Sequence, residues 1–336
     1  MRKTLEIREI GPQPEDKMLF EKLEKTYIPL MYPKDIMEIL PASVPRAGQE
    51  GSSSNIHVVR AWMNYPPGWV EDWMISNADL APVHAYLDFL RRARNRFNEV
   101  AEKMGYWNSD ASHSLGHDRW SVGWAGSNLL SIAAYLYSLK SYNVSGSLLE
   151  CGVFKGSSTA CLSWACRELG LTLYSADSFA GLPSEEGHYN AADFRGSLDE
   201  VTRNVNQYGY PECVQFIPGW YSESLKNFAP TIALLWVDVD LQQSTLDVLN
   251  NVFPRLAKDA VIFSDGFTEG VDFDGYKVRH TGGEPAGFAR FFEATGIGYK
   301  AMPGGAKGLA LILPNCQEDE QPLFNASAFQ YLLSLL

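Results

Sequence analysis

The chain has 336 residues, of which 46% are hydrophobic and 20% charged, and a formal net charge of −12. That is enough chain to bury a large core in one or two domains. The acidic balance argues against a nucleic-acid partner, whose phosphates need a basic face. No apolar run is long enough to span a bilayer, and the amino terminus lacks a signal-peptide core. A neutral or cationic small molecule is therefore the expected partner. Five cysteines (Cys151, Cys161, Cys166, Cys213 and Cys316) are an odd count without paired metal spacing, which fits a reducing, cytoplasmic setting.

Residues 1–118 read as a mainly helical cap or arm, and 119–336 as the principal domain. Asp16 to Lys25 has the pattern of a short helix, and Pro41 to Asn55 that of a loop. A longer helix is predicted over Val83 to Met104, with Ala85, Leu87, Leu90 and Ala93 on one face and Arg91, Arg92, Arg94 and Arg96 on another. Trp62, Tyr65, Trp69, Trp73 and Trp107 are candidates for an acceptor pocket, although packing the arm on the core is the commoner use of such rings. His113 and His117 flank the junction with the principal domain. Such an arm also suits a homo-oligomer.

A helix over Asn128 to Lys140 leads into Ser147 to Pro183, where strand, glycine turn, helix, strand and acid follow one another. This is the plan of a nucleotide-binding βαβ unit. The turn, Gly152-Val-Phe-Lys-Gly156, is neither a dinucleotide G-x-G-x-x-G nor a Walker loop, because Lys155 precedes the glycine. Glu150 at the end of the first strand would repel a pyrophosphate. It suits S-adenosylmethionine, which carries a sulfonium and an ammonium. Asp177, ending the second strand, stands where ribose hydroxyls would lie.

Further strands are expected at Cys213 to Ile217, Ile232 to Val237, Ala260 to Phe263 and Leu309 to Leu313. The helix after the fourth strand is expected to start at a capping box, Ser244 to Asp247. Pro285 is expected at the first position of another helix, with Phe288, Phe291 and Phe292 turned inward. The alternation implies an α/β fold: a doubly wound, mostly parallel sheet with helices on both faces. Glu150, Asp177, Asp238, Asp240 and Asp265 then gather at the carboxyl edge of the sheet, where such folds place their sites.

Four segments resemble the macrocin-type sugar O-methyltransferases, the TylF/MycF group of Rossmann-like class I S-adenosylmethionine enzymes: Asn143 to Gly156, Ala176 to Pro183, Phe216 to Leu225 and Leu234 to Phe267. The resemblance implies a donor site built from Glu150, Cys151, Gly152, Gly156, Ser157, Ser158, Asp177, Ser178, Gly219, Trp220 and Asp238. It also implies a magnesium ion held by an aspartate after the fourth strand and a pair of aspartates after the fifth. Asp238 and Asp265 match, but the first member of the pair is Ser264, and Gln242 and Gln243 replace a tyrosine and an acid. Asp238, Asp265 and Ser264 are the candidate metal ligands.

The activity implied is O-methylation of a small molecule, such as a sugar hydroxyl of a glycosylated natural product. An alcohol needs a base or a metal to lower its pKa. Asp238, Asp240 and His280 are the candidate catalytic groups, with His188 as a further histidine in a loop over the sheet edge. The departures at Ser264 and Gln242 leave open metal-free transfer to nitrogen or carbon, and a non-catalytic donor-binding protein is a third reading.

Overall fold

The computed structural model describes residues 81–104, 125–268, 270–304 and 308–316. The expected helix at Asp16 to Lys25, the loop at 41–55, the five amino-terminal aromatics, His113 and His117 lie outside the described residues.

Helices α1 (Ala81–Lys103) and α2 (Ala125–Ser141) precede the βαβ unit, which comprises β1 (Ser147–Cys151), α3 (Ser157–Leu169) and β2 (Leu173–Asp177). There follow α4 (Leu198–Tyr208), β3 (Val214–Pro218), the short α5 (Tyr221–Ser224), β4 (Ile232–Val237), α6 (Gln242–Val252) and β5 (Leu256–Ser264). A small hairpin of β6 (Phe273–Asp274) and β7 (Lys277–Val278) leads to α7 (Gly283–Thr295), β8 (Tyr299–Pro303) and β9 (Ala310–Pro314).

Seven strands form one sheet in the order β3-β2-β1-β4-β5-β9-β8. β1 to β5 pair in parallel, and β9 runs antiparallel to both β5 and β8. The expected doubly wound, Rossmann-like fold is therefore present. β8, the hairpin and helix α4 have no counterpart among the sequence expectations. Strand order reverses between β1 and β4, which opens a crevice at their carboxyl ends.

Alternate residues of each central strand serve opposite faces, as the period of two requires. Leu148, Leu234, Trp236, Val261 and Phe263 pack against α1, α2 and α3, whereas Leu149, Leu235, Val237 and Ile262 pack against α6 and α7. All six residues of β4 are buried, as a doubly covered strand demands. Phe288, Phe291 and Phe292 do face inward. Helix α1 belongs to the same core, with Phe89 and Phe97 against Trp164 of α3. Its Arg96 is not on a solvated face: it donates to the Tyr208 carbonyl at 2.6 Å.

Two helix starts differ from expectation. α6 begins at Gln242, so Ser244 and Thr245 already lie inside it, and the Thr245 hydroxyl bonds back to the Leu241 carbonyl at 2.9 Å. Pro285 is the third residue of α7, still within the first turn, where its missing N–H removes no helical bond.

Candidate active site

Two glycines shape the floor of the crevice. Gly152 has φ +95, and a Cβ there would lie 1.7 Å from the Asp238 carbonyl oxygen, so only glycine lets the β1 turn pass the end of β4. Gly156, φ +83, caps α3 in the left-handed region and turns the chain into the helix. The Asp238 amide donates to the Cys151 carbonyl, and the Asp265 amide to the Val237 carbonyl. These bonds set Asp238 and Asp265 side by side at the ends of β4 and β5.

The crevice holds a cavity of ≈ 740 Å³. Of the residues expected at a donor site, Gly152, Ser157, Ser158, Asp177, Ser178, Trp220 and Asp238 line it, as do Asp240 and Asp265. Glu150, Cys151, Gly156 and Gly219 do not line it. Gly156 and Gly219 act instead through the backbone, in turns that both have positive φ.

Glu150 is fully buried and spends its carboxylate on three hydroxyls. Ser158 and Thr159 of α3 donate at 2.5 and 2.6 Å, and Ser175 of β2 donates at 2.8 Å. Burial nevertheless pushes its pKa up to about 6, against the lowering effect of those bonds. Cys151 is buried beside it, with its thiol pKa pushed up by burial first and by the neighbouring carboxylates second. Asp177 accepts from the Val153 and Phe154 amides at 2.8 and 3.3 Å and from the Phe179 amide at 2.7 Å. It thereby ties the first turn to the loop after β2.

The β4–β5 edge is different. Burial raises the Asp238 pKa well above the usual carboxylate range, and the charges of Asp265, Asp240, Glu284 and Glu150 raise it further. Asp265 is pushed up to about 7, mainly by burial, while the Gly266 amide and Asn128 oppose the rise. The Asn128 amide nitrogen donates to Asp265 at 3.3 Å. Asp240 adopts φ +61, the left-handed region, at the turn into α6.

The loop expected between Pro183 and Arg195 does cover this edge, and His188, Tyr189 and Phe194 from it line the cavity. It is pinned by Glu186, which accepts from the Gln242 amide at 3.1 Å and from the Gly283 amide at 3.0 Å, at the starts of α6 and α7. The expectation for His280 fails on position. Its side chain is exposed, pairs with Glu293 at 2.6 Å and does not line the cavity.

The residue that sequence reasoning missed is Glu284. It is buried in the first turn of α7 and accepts from the Val239 amide at 2.5 Å and the Asp240 amide at 2.9 Å. Its other oxygen accepts from the Ser264 hydroxyl. An acid directly before a proline in a helix start looks like ordinary N-terminal charge, so nothing local marked it.

Of the expected metal ligands, Ser264 does not fit a divalent ion. Ser264 is fully buried, its hydroxyl is taken by Glu284, and it does not line the cavity. Among the described residues, no three His, Cys, Asp or Glu side chains are grouped as a metal's ligands. Magnesium asks for near-octahedral oxygen ligands, and Asp238 with Asp265 supplies two side chains.

A family model described as Macrocin-O-methyltransferase (TylF) matches residues 75–273. The chain is 33% identical over 141 residues to the 8-demethyl-8-(2,3-dimethoxy-alpha-L-rhamnosyl)-tetracenomycin-C 4'-O-methyltransferase of Streptomyces olivaceus, covering 37% of this chain and 54% of that protein. It is also 33% identical over 197 residues to the demethyldecarbamoylnovobiocin O-methyltransferase of Streptomyces niveus, covering 54% of this chain and 71% of that one. The chain thus spans about half the length of the first relative and under three quarters of the second. The solved O-methyltransferase NovP aligns at 23% identity and TM-score 0.47, over 56% of this chain and 80% of its own.

Proposed function

Because this chain belongs to the macrocin-O-methyltransferase (TylF) family, we propose that it transfers the methyl group of S-adenosylmethionine to a hydroxyl of a small molecule, specifically a sugar hydroxyl of a glycosylated natural product. The observation that carries this reading is the pair of half-buried carboxylates, Asp238 and Asp265, facing the cavity at the switch point of the sheet.

In this reading the first turn, Gly152 to Ser158, receives the methionine end of the donor, Asp177 and Ser178 lie beside its ribose, and Trp220 covers the adenine. The amides at the start of α3 supply donors, and the carboxylate edge favours the cationic sulfonium. The acceptor oxygen attacks the methyl carbon in line as the carbon–sulfur bond breaks, so holding the two reactants in register supplies much of the rate. S-adenosylhomocysteine leaves as the neutral sulfide. The hydroxyl proton passes to a carboxylate oxygen of Asp238 or Asp265, whose raised pKa values make them better bases than an ordinary carboxylate. A relative whose name places its methyl on a rhamnosyl 4' oxygen supports the sugar. The aromatic lining supplied by Tyr189, Phe194 and Phe273 suits an apolar aglycone.

The test incubates the purified chain with S-adenosylmethionine and a panel of glycosides bearing free sugar hydroxyls, rhamnosides included, with mass spectrometry of the products. A glycoside one methyl heavier, with the methyl on a sugar oxygen, is the expected result. Donor binding with N-methylated product, or with no product across the panel, would count against it.

A further inference from the structure

We propose that Glu284 replaces a divalent cation as the clamp of the acidic edge, so that this site holds its carboxylates in working geometry without a metal. The inference rests on the donor reading above and concerns how the same site is held.

The resemblance places a metal between the ends of the fourth and fifth strands, where it would tie them together through their carboxylates. In this chain the tie is a hydrogen-bonded one. One oxygen of Glu284 accepts from the Val239 and Asp240 amides after β4, and the other accepts from the Ser264 hydroxyl at the end of β5. Three donors from two strand ends thus converge on one buried carboxylate. The contact with Ser264 occupies the very position where the family's pattern has a carboxylate. An aspartate there would face Glu284 with like charge in a buried setting, which is costly. Serine at 264 and glutamate at 284 are therefore a matched pair. The clamp also fixes the turn in which Asp240 takes its left-handed φ of 61 and presents to the cavity. Glu284 touches neither reactant in this arrangement and is a positioning residue.

The experiment titrates magnesium chloride into the full chain saturated with S-adenosylhomocysteine, by calorimetry, with manganese paramagnetic resonance as the second probe. The expected result is no saturable binding of either ion at millimolar concentration. Ser264→Asp combined with Glu284→Gln, which restores the carboxylate and removes the opposing charge, is expected to bind manganese at least about tenfold more tightly. Saturable magnesium binding by the unmodified chain, lost in Asp265→Asn, overturns the proposal.

The clamp itself is read by hydrogen exchange. Glu284→Gln keeps acceptors for both amides and a donor for Ser264, so the Val239 and Asp240 amides stay protected. Glu284→Ala exposes them, with exchange at least about tenfold faster. Equal exchange in the two variants overturns the positioning role. If S-adenosylhomocysteine does not bind, the donor reading fails, and the metal titrations repeated on the ligand-free chain still decide the clamp.

Discussion

The β1–α3–β2 side and the β4–β5 side of the crevice both hold carboxylates, and they surround them differently. Glu150 is met by three hydroxyls and Asp177 by three amides, all neutral donors from the βαβ unit and the loop that follows it. Burial raises the pKa of Asp238, Asp265 and Glu284, and the charges of neighbouring carboxylates, Asp240 among them, raise it further. A saturated carboxylate is part of the scaffold, because every lone pair has a structural task. Carboxylates forced together are costly to the fold and chemically useful, since each holds a proton more readily than in water.

Asp238→Asn attacks the reactive side where the effect is largest. It is expected to lower turnover by about 100- to 10,000-fold, the usual worth of a positioned base, while calorimetry finds donor affinity little changed. Activity within tenfold of the unmodified chain would move the base elsewhere. Glu150→Ala tests the saturated side and should destabilise the fold by about 2–4 kcal/mol, because three hydroxyls, two of them buried, lose their acceptor. Denaturant unfolding measures this, and a loss below that of Glu150→Gln would contradict the scaffold role.

The pH dependence separates the two sides further. A base must be deprotonated to act, so turnover limited by Asp265 rises with pH and levels off above its value of about 7. Stability runs the other way. The folded state binds the Asp265 proton more tightly than the unfolded chain does, so this group's contribution falls as pH rises from about 4 to about 7. Asp265→Asn should consequently raise the thermal midpoint at pH 8 by roughly 2–4 °C, with little gain at pH 4. A uniform gain at both pH values would detach the effect from ionisation. The smallest effect is expected at His280→Ala, outside the cavity. Its exposed pair with Glu293 is worth less than about 1 kcal/mol, and turnover should not change.

Much of the fold was legible because its signals are local. The six apolar residues Ile232 to Val237 could only be a strand covered on both faces, and the Gly152 to Gly156 turn could only lie between β1 and α3. The start of α6 was misread because Ser244 and Asp247 match a cap spacing, yet the chain enters the helix two residues before Ser244. β8 escaped notice because Tyr299–Pro303 contains a buried lysine and no clear alternation.

The candidate site divides along the same line. Residues carried to the sheet edge by their own strands, Asp177, Asp238 and Asp265, were placed correctly, since a strand end is a position along the chain. The sequence alone determined the order of the parallel strands, the glycine turn and the acids that end those strands. Only the tertiary structure decided what those acids meet: hydroxyls for Glu150, Asp265 and Asp240 for Asp238, and Ser264 for Glu284, twenty residues away along the chain. The reason is physical. A buried polar group is settled by whichever donor or charge the packing brings within about 3 Å, and packing joins residues that no local pattern connects.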